Sequence, residues 1–192
     1  MNKKIFTIVC GSLIFAATMT IRAQEGHTID SVSIKIALND KDNPDIRKFV
    51  LAKITDQNVF KQIALNKKDN PDIRKFVLAK TTDQSVFKQI ALNIEDNPDI
   101  RKYVLAEITD QSESVLKQIA LNKKDNPDIR KFVLAKTSDQ NVLKQIALNI
   151  EDNPDIRKFV LSKMADKSVF EYVALNNKDN PDIRKYALEQ MK

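Results

Sequence analysis

The chain has 192 residues, of which 42% are hydrophobic and 30% charged, with a net charge of +6, one cysteine, one histidine and no tryptophan. A lone Cys and a lone His exclude a disulfide framework and a zinc site built on those ligands. The two glycines, Gly11 and Gly26, both precede the body of the chain, so no Gly-rich phosphate-cradling loop and no Gly-rich linker is available there.

Lys3 and Lys4 open the chain, and Ile5 to Ile21 run 17 residues without a charge before Arg22, Ala23 and the polar Gln24-Glu25-Gly26-His27. This is the layout of a secretory signal peptide. It predicts cleavage after Ala23, with residues 24–30 as a flexible mature N-terminus. The rival reading is an uncleaved membrane anchor, for which 17 residues with several Ser, Thr and Gly is short. Cys10 fits a lipid-modified cysteine poorly, since Val9 precedes it and apolar residues follow. The expected location is therefore outside the cytoplasm, periplasmic or secreted, with N-terminal membrane anchoring as the alternative. Without Lys3, Lys4 and Arg22, 29 basic residues face 26 acidic ones, near +3. So small a surplus disfavours nucleic acid as a partner, and no membrane span remains after cleavage.

From residue 42 onward the sequence Asp-Asn-Pro-Asp-Ile-Arg-Lys occurs six times and contains all six prolines, at 44, 71, 98, 127, 154 and 181. The intervals are 27, 27, 29, 27 and 27 residues. A fixed period of this size predicts a stack of small units, none able to bury its apolar face alone. Asn43 is placed to cap a helix beginning at Pro44, where a missing N–H costs nothing, and Asp45 suits the positive helix end. This first helix is expected to reach about Ile54. Asp56 is the next N-cap, and a shorter second helix, α-helical or partly 3₁₀, spans about Gln57 to Leu65. Asn66 follows, a residue that tolerates the left-handed conformation ending many helices. Each unit reads as a helical hairpin, first helix then second.

At ~100° per residue, Ile46, Phe49, Val50, Leu51 and Ile54 cover an arc of roughly 200° on the first helix. That is wide enough for neighbours on two sides. Arg47 falls inside the arc, whereas Asp45 and Lys48 point outward. A charge at such a seam must be paired. Arg47, Arg74, Arg101, Arg130, Arg157 and Arg184 are thus expected to bridge to an Asp at the repeat junction. The nearest repeating acids are Asp42 and Asp45 or their equivalents one unit along, and the candidate column is Asp42, Asp69, Asp96, Asp125, Asp152 and Asp179.

The Asp-x-Pro-Asp-Ile-Arg entry, the apolar helix behind it and the short second helix resemble HEAT-like repeats. The repeat length and the Asp-Gln-Asn-Val-Phe-Lys-Gln-Ile-Ala segment are also similar to the leucine-rich repeat variant. The resemblance covers about residues 30 to 192 and implies an all-α fold: an α-solenoid of about six helical hairpins, wound as a right-handed superhelix. Second helices would line its concave face. It further implies one repeat domain over residues 31–192, with Arg and Asp ladders at the Arg47 and Asp42 columns. The short second helix and two extra residues near Ser112-Glu113 depart from the pattern. Ser31 to Asn39 align with a second helix, so both ends read as half units. Twelve stacked helices would extend roughly 50–60 Å. Such folds serve many partners, and function does not follow from architecture.

Oxygen ligands alternate in Asp40-Lys41-Asp42-Asn43-Pro44-Asp45, as in a calcium loop. The Gly and the bidentate Glu of an EF-hand are missing, and Lys67 replaces Asp40 one unit on. Capping accounts for the motif without a metal. His27 lies on the flexible start, where it cannot hold catalytic geometry. The acids recur in every unit, as caps do. No enzyme, metal or cofactor is expected. The best candidate surface is the outer side of the second helices: Lys61 and Gln62, Lys88 and Gln89, Lys117 and Gln118, Lys144 and Gln145. If these helices line the concave side, ammonium and amide groups recur about every 10 Å. The row suits a protein or peptide segment, and alternatively a polyanion or surface glycan. The same recurrence also fits a solvated face copied by tandem duplication. Ile94 and Ile150, in turns two units apart, would either contact a partner or tuck under the next helix.

Overall fold

Asn-Pro-Asp starts a helix at every copy of the signature, and the reason is local. In the computed structural model, which describes residues 31–108 and 113–191, the Asn of each copy takes φ between −57° and −55° with ψ near 125°. Its Oδ1 accepts the N–H two residues on at 2.8–2.9 Å. It also accepts the next N–H along, which satisfies two of the orphan donors of the first turn. Proline occupies the first helical position, where it gives up no bond. With its Oδ1 engaged in this way, the Asn is a cap, and the calcium-loop reading loses one of its ligands.

Twelve helices and no strand are found among the described residues. They are α1 (31–38), α2 (Pro44–Leu51), α3 (Gln57–Leu65), α4 (Pro71–Leu78), α5 (Gln84–Leu92) and α6 (Pro98–Glu107). Then come α7 (Glu113–Leu121), α8 (Pro127–Lys136), α9 (Gln140–Leu148), α10 (Pro154–Leu161), α11 (Lys167–Leu175) and α12 (Pro181–Gln190). The protein is an all-α repeat solenoid of helix pairs about 27 residues long. Its contacts gather into two compact units, one ending at Thr82 with α1–α4 and one beginning at Asp83 with α5–α12. The expected leader, Cys10, the 24–30 segment with His27, and most of the two-residue insertion lie outside the described residues.

Three details differ from the expectation. First, the closest packing joins α3 to α4 in the first unit, and α5 to α6, α7 to α8, α9 to α10 and α11 to α12 in the second. The hairpin is therefore a second helix followed by the next proline-started helix, the reverse of the order read from sequence. The cause lies in the turn. Asn66, Asn93, Asn149 and Asn176 are extended rather than left-handed, with φ of −82° to −74° and ψ of 96° to 100°. Each turns its Oδ1 onto the N–H two residues on, at 3.1–3.2 Å. Its own carbonyl accepts the N–H of the junction Asp at 3.0 Å. This side-chain-closed turn folds the chain back within five residues. In this register α1 is the partner of α2, so the first and last elements are whole hairpins and not half units.

Second, α2, α4 and α10 end at Leu51, Leu78 and Leu161, short of the expected Ile54 position. Third, the second helices are α-helical over nine residues, with no 3₁₀ portion. Asp56, Asp83, Asp139 and Asp166 cap them through bonds to the N–H two residues on.

Within the second unit, hairpins stack like on like: α5, α7, α9 and α11 in one row, α6, α8, α10 and α12 in the other. The core between the rows is apolar. Second helices bury Val142, Leu143, Ile146 and Ala147 and the matching residues of α5 and α11, with Leu116 half-buried on α7. Proline-started helices bury Ile129, Val133 and Leu134 and the matching residues of α6 and α10, whereas on α12 Ile183 and Ala187 are buried and Leu188 is exposed. Each large side chain of this kind contributes about 1.5–3 kcal/mol relative to exposure.

A further contact ties proline-started helices together. Lys80 Nζ donates to Leu51 O and Ala52 O at 3.4 and 3.3 Å, and Lys136 Nζ to Leu105 O at 3.1 Å. Lys163 Nζ donates to Leu134 O, Ala135 O and Thr137 O. Each lysine thus serves the orphan carbonyls ending the preceding helix of its row. Lys80 and Lys136 also lie over the rings of Phe76 and Phe132, at 5.2 and 5.0 Å.

Candidate functional site

Two sets of repeated cations compete for a functional reading, the arginines of the signature and the lysines of the second helices. Arg47, Arg74, Arg101, Arg130 and Arg157 are at most 1% exposed. A guanidinium taken out of water must have its donors met. Arg130 shows how. Its Nε and Nη2 donate to Ala120 O at 3.0 and 2.8 Å, which is the carbonyl near the end of its own hairpin's second helix. Its Nη1 and Nη2 donate to Asp152 Oδ1 and Oδ2 at 2.6 and 2.8 Å, in the turn of the next hairpin. One side chain thereby fixes the hairpin it belongs to and the hairpin stacked on it, in the bidentate geometry that Arg alone provides.

The same arrangement joins Arg47 to Asp69, Arg101 to Asp125 and Arg157 to Asp179. Nε reaches Ala37 O, Ala91 O and Ala147 O in these copies at 3.0–3.1 Å. The Arg–Asp separation is 22 residues, except 24 for Arg101 and Asp125, where the two extra residues intervene. The bidentate geometry is unchanged there. Arg74 donates Nε to Ala64 O at 2.9 Å, and Asp96 accepts from Asn97 N–H at 2.7 Å. Asp42 accepts from Asn43 N–H at 2.7 Å, and Arg184 donates Nε to Ala174 O at 3.0 Å.

Burial by itself would raise the Asp179 carboxyl. The hydrogen bond and charge of Arg157, the Asn180 N–H and the charge of Arg184 outweigh that and hold it below its ordinary value. No buried side-chain nitrogen or oxygen lacks a partner among the described residues. A fully satisfied guanidinium–carboxylate pair walled in by apolar side chains presents nothing to a ligand. It holds the stack together.

The lysines differ in every respect. Lys61 and Gln62 are exposed on α3, in the first unit. In the second unit Gln89, Lys117, Gln118, Lys144 and Gln145 are exposed and Lys88 is half-buried, at one register of α5, α7 and α9. Lys117 Nζ lies 4.0 Å from Asp139 Oδ2, and Lys144 Nζ 3.8 Å from Asp166 Oδ2. Each ammonium therefore leans on the capping carboxylate of the next second helix. Asp166 is held below its ordinary value first by the Ser168 hydroxyl and N–H, with Lys144 contributing less. The row is thus alternately basic and acidic, with amides between. On α11 it changes to Glu171 and an exposed Tyr172.

Sequence reasoning missed the capping partners of these lysines. Their signal is the spacing of Lys117 to Asp139 and Lys144 to Asp166, 22 residues in both cases, the same as Arg to Asp in the seam. Ile94 and Ile150 are both exposed in their turns, neither tucked under a helix. Among the described residues no three His, Cys, Asp or Glu side chains gather as a metal set, and no helix is long and apolar enough to cross a membrane. Compared with protein-family models, curated proteins and solved structures, the chain finds no significant match in any of the three.

Proposed function

We propose that this chain is an exported, non-enzymatic interaction scaffold of HEAT-like type that binds a protein or peptide along the outer face of its second helices. The observation that carries this reading is the composition of that face in the second unit. Gln89, Gln118 and Gln145 recur in register, and Lys117 and Lys144, beside the last two, are partly neutralised by Asp139 and Asp166. A face of amides and alternating charge matches a polypeptide, whose backbone offers donors and acceptors and whose side chains carry both signs. Tyr172, exposed where the row changes character, adds an aromatic anchor of the kind that dominates binding energy.

A polyanion or surface glycan would draw instead on uncompensated positive charge, and the nearby carboxylates weaken that field. The two readings separate by salt. Affinity capture from the producing cell's envelope and medium, with Lys88, Lys117 and Lys144 changed together to Glu as the control, is the test. The expected result is a protein retained by the parent chain, lost with the triple variant, and little affected by raising ionic strength. Capture of an anionic glycan that falls off steeply with salt would favour the alternative. Equal capture by parent and variant would remove this face from consideration.

A further inference from the structure

We propose that the two end faces of the described chain recognise each other in trans: the α11–α12 hairpin of one copy stacks on the α1–α2 hairpin of a second copy through one more Arg–Asp seam. Each hairpin has two stacking faces, and positions that are buried on the other hairpins are bare on the first and the last. On the first hairpin Ile46 is 50% exposed, whereas Ile73, Ile100, Ile129, Ile156 and Ile183 are fully buried. Val32 is 52% exposed, whereas its equivalents on the later second helices are at most 4% exposed. Phe49, on the same helix as Ile46, is also exposed, with Lys53 Nζ 4.1 Å from its ring centroid. On the last hairpin Leu188 is 52% exposed, against at most 1% for the leucine at the same position of the five earlier copies. Leu175 is the most exposed large apolar side chain of all those described.

The charges divide the same way. Asp42, on the first face, already accepts the Asn43 N–H at 2.7 Å, as Asp69, Asp125 and Asp152 do while holding their arginines. Arg184, on the last face, already donates Nε to its own hairpin's Ala174 carbonyl, as every seam arginine does to its own. Among the described residues no carboxylate takes its Nη groups in a bidentate bond. One face therefore ends the seam with the donor and the other with the acceptor, each set in the geometry of the internal pairs.

The faces are complementary to each other and not to themselves, so the contact is heterologous. The matching occupant is a second copy because this chain carries the residues that cover the same positions internally: Leu, Arg on one side, Val, Ile, Phe, Asp on the other. Exposed apolar patches of this kind on a soluble surface ordinarily mark an interaction site.

Sedimentation velocity of the full chain over a wide concentration range tests this. The parent chain is expected to associate reversibly. Arg184→Asp and Asp42→Arg should each weaken association by about 30-fold or more, the effect of removing one partner from a buried charge pair. Mixing the two variants should restore it, because every junction in an alternating assembly then joins opposite charges. Leu188→Glu, at a position already half exposed and so harmless to the hairpin, should weaken association as well. A parent chain that stays monomeric, as it would if its own apolar segment from Ile5 to Ile21 covered the first face, overturns the proposal. So does association that persists unchanged in all three variants, or variants whose mixture fails to reassociate.

Discussion

The repeat carries two cation–carboxylate columns with the same 22-residue spacing and opposite consequences. In the seam, Arg130 and Asp152 are buried, bidentate and within 2.8 Å. In the outer row, Lys117 stands 4.0 Å from Asp139 with half of its surface in water. Removing two ions from water costs several kcal/mol each, so the seam tolerates no missing partner. The outer pair loses little hydration and gains little. Identical periodicity in sequence therefore says nothing about energetic weight. Burial decides it.

The largest expected effect follows from breaking the seam on one side. Asp152→Ala leaves Arg130 buried without its carboxylate and should destabilise the second unit by about 3–5 kcal/mol, read from denaturant unfolding. A loss no larger than that of a surface substitution would mean that water enters the seam and the comparison fails.

Acid should act on the same column. The Asp179 carboxyl lies below its ordinary value when folded, so its contribution is present in full above the unfolded value near ~3.9. It is lost as pH falls through the lower folded value. Unfolding free energy should therefore hold steady toward mildly acidic pH and drop below about pH 4. Asp179→Asn should flatten part of that drop while lowering stability at neutral pH. A variant that keeps the full acid slope would show that other carboxylates carry it.

The smallest effect belongs to the outer row. Lys117→Ala should change unfolding free energy by less than about 1 kcal/mol, and that change should shrink further at high salt. A larger, salt-insensitive loss would place Lys117 in the structural class with Arg130.

Much of this was legible because capping is local. Asn43, Pro44 and Asp45 announce a helix start within three residues, and Asp56 a second one; both lie where the residue types require. The position of Arg47 on the wheel also revealed a buried charge in need of an acid. Pairing order was not legible. The hairpin α3–α4 depends on Asn66 closing an extended turn with its side chain, and Asn serves a left-handed cap equally well in sequence. Nor does a wheel show that Arg47 shares its guanidinium between Ala37 O and Asp69, since both partners come from other helices or turns. The lysines at the helix ends look solvated in sequence. Lys163 finds three carbonyls of the preceding helix's end only once the stack is formed.

The candidate row was read from the exposed side of each second helix, and the exposure of Gln118, Lys144 and Gln145 agrees with that wheel. Its mixed charge was hidden. Asp139 and Asp166 are caps in sequence, and they become neighbours of Lys117 and Lys144 only through stacking.

The most direct test of the seam as the joint of this protein is a double-mutant cycle on Arg130 and Asp152, with Arg130→Met and Asp152→Leu alone and together. Each single change should be strongly destabilising, and the double variant should recover much of the loss because no unpaired charge remains. A coupling of at least about 2 kcal/mol is the expected result. Losses that add to within about 0.5 kcal/mol would mean the two residues act independently and would contradict the account.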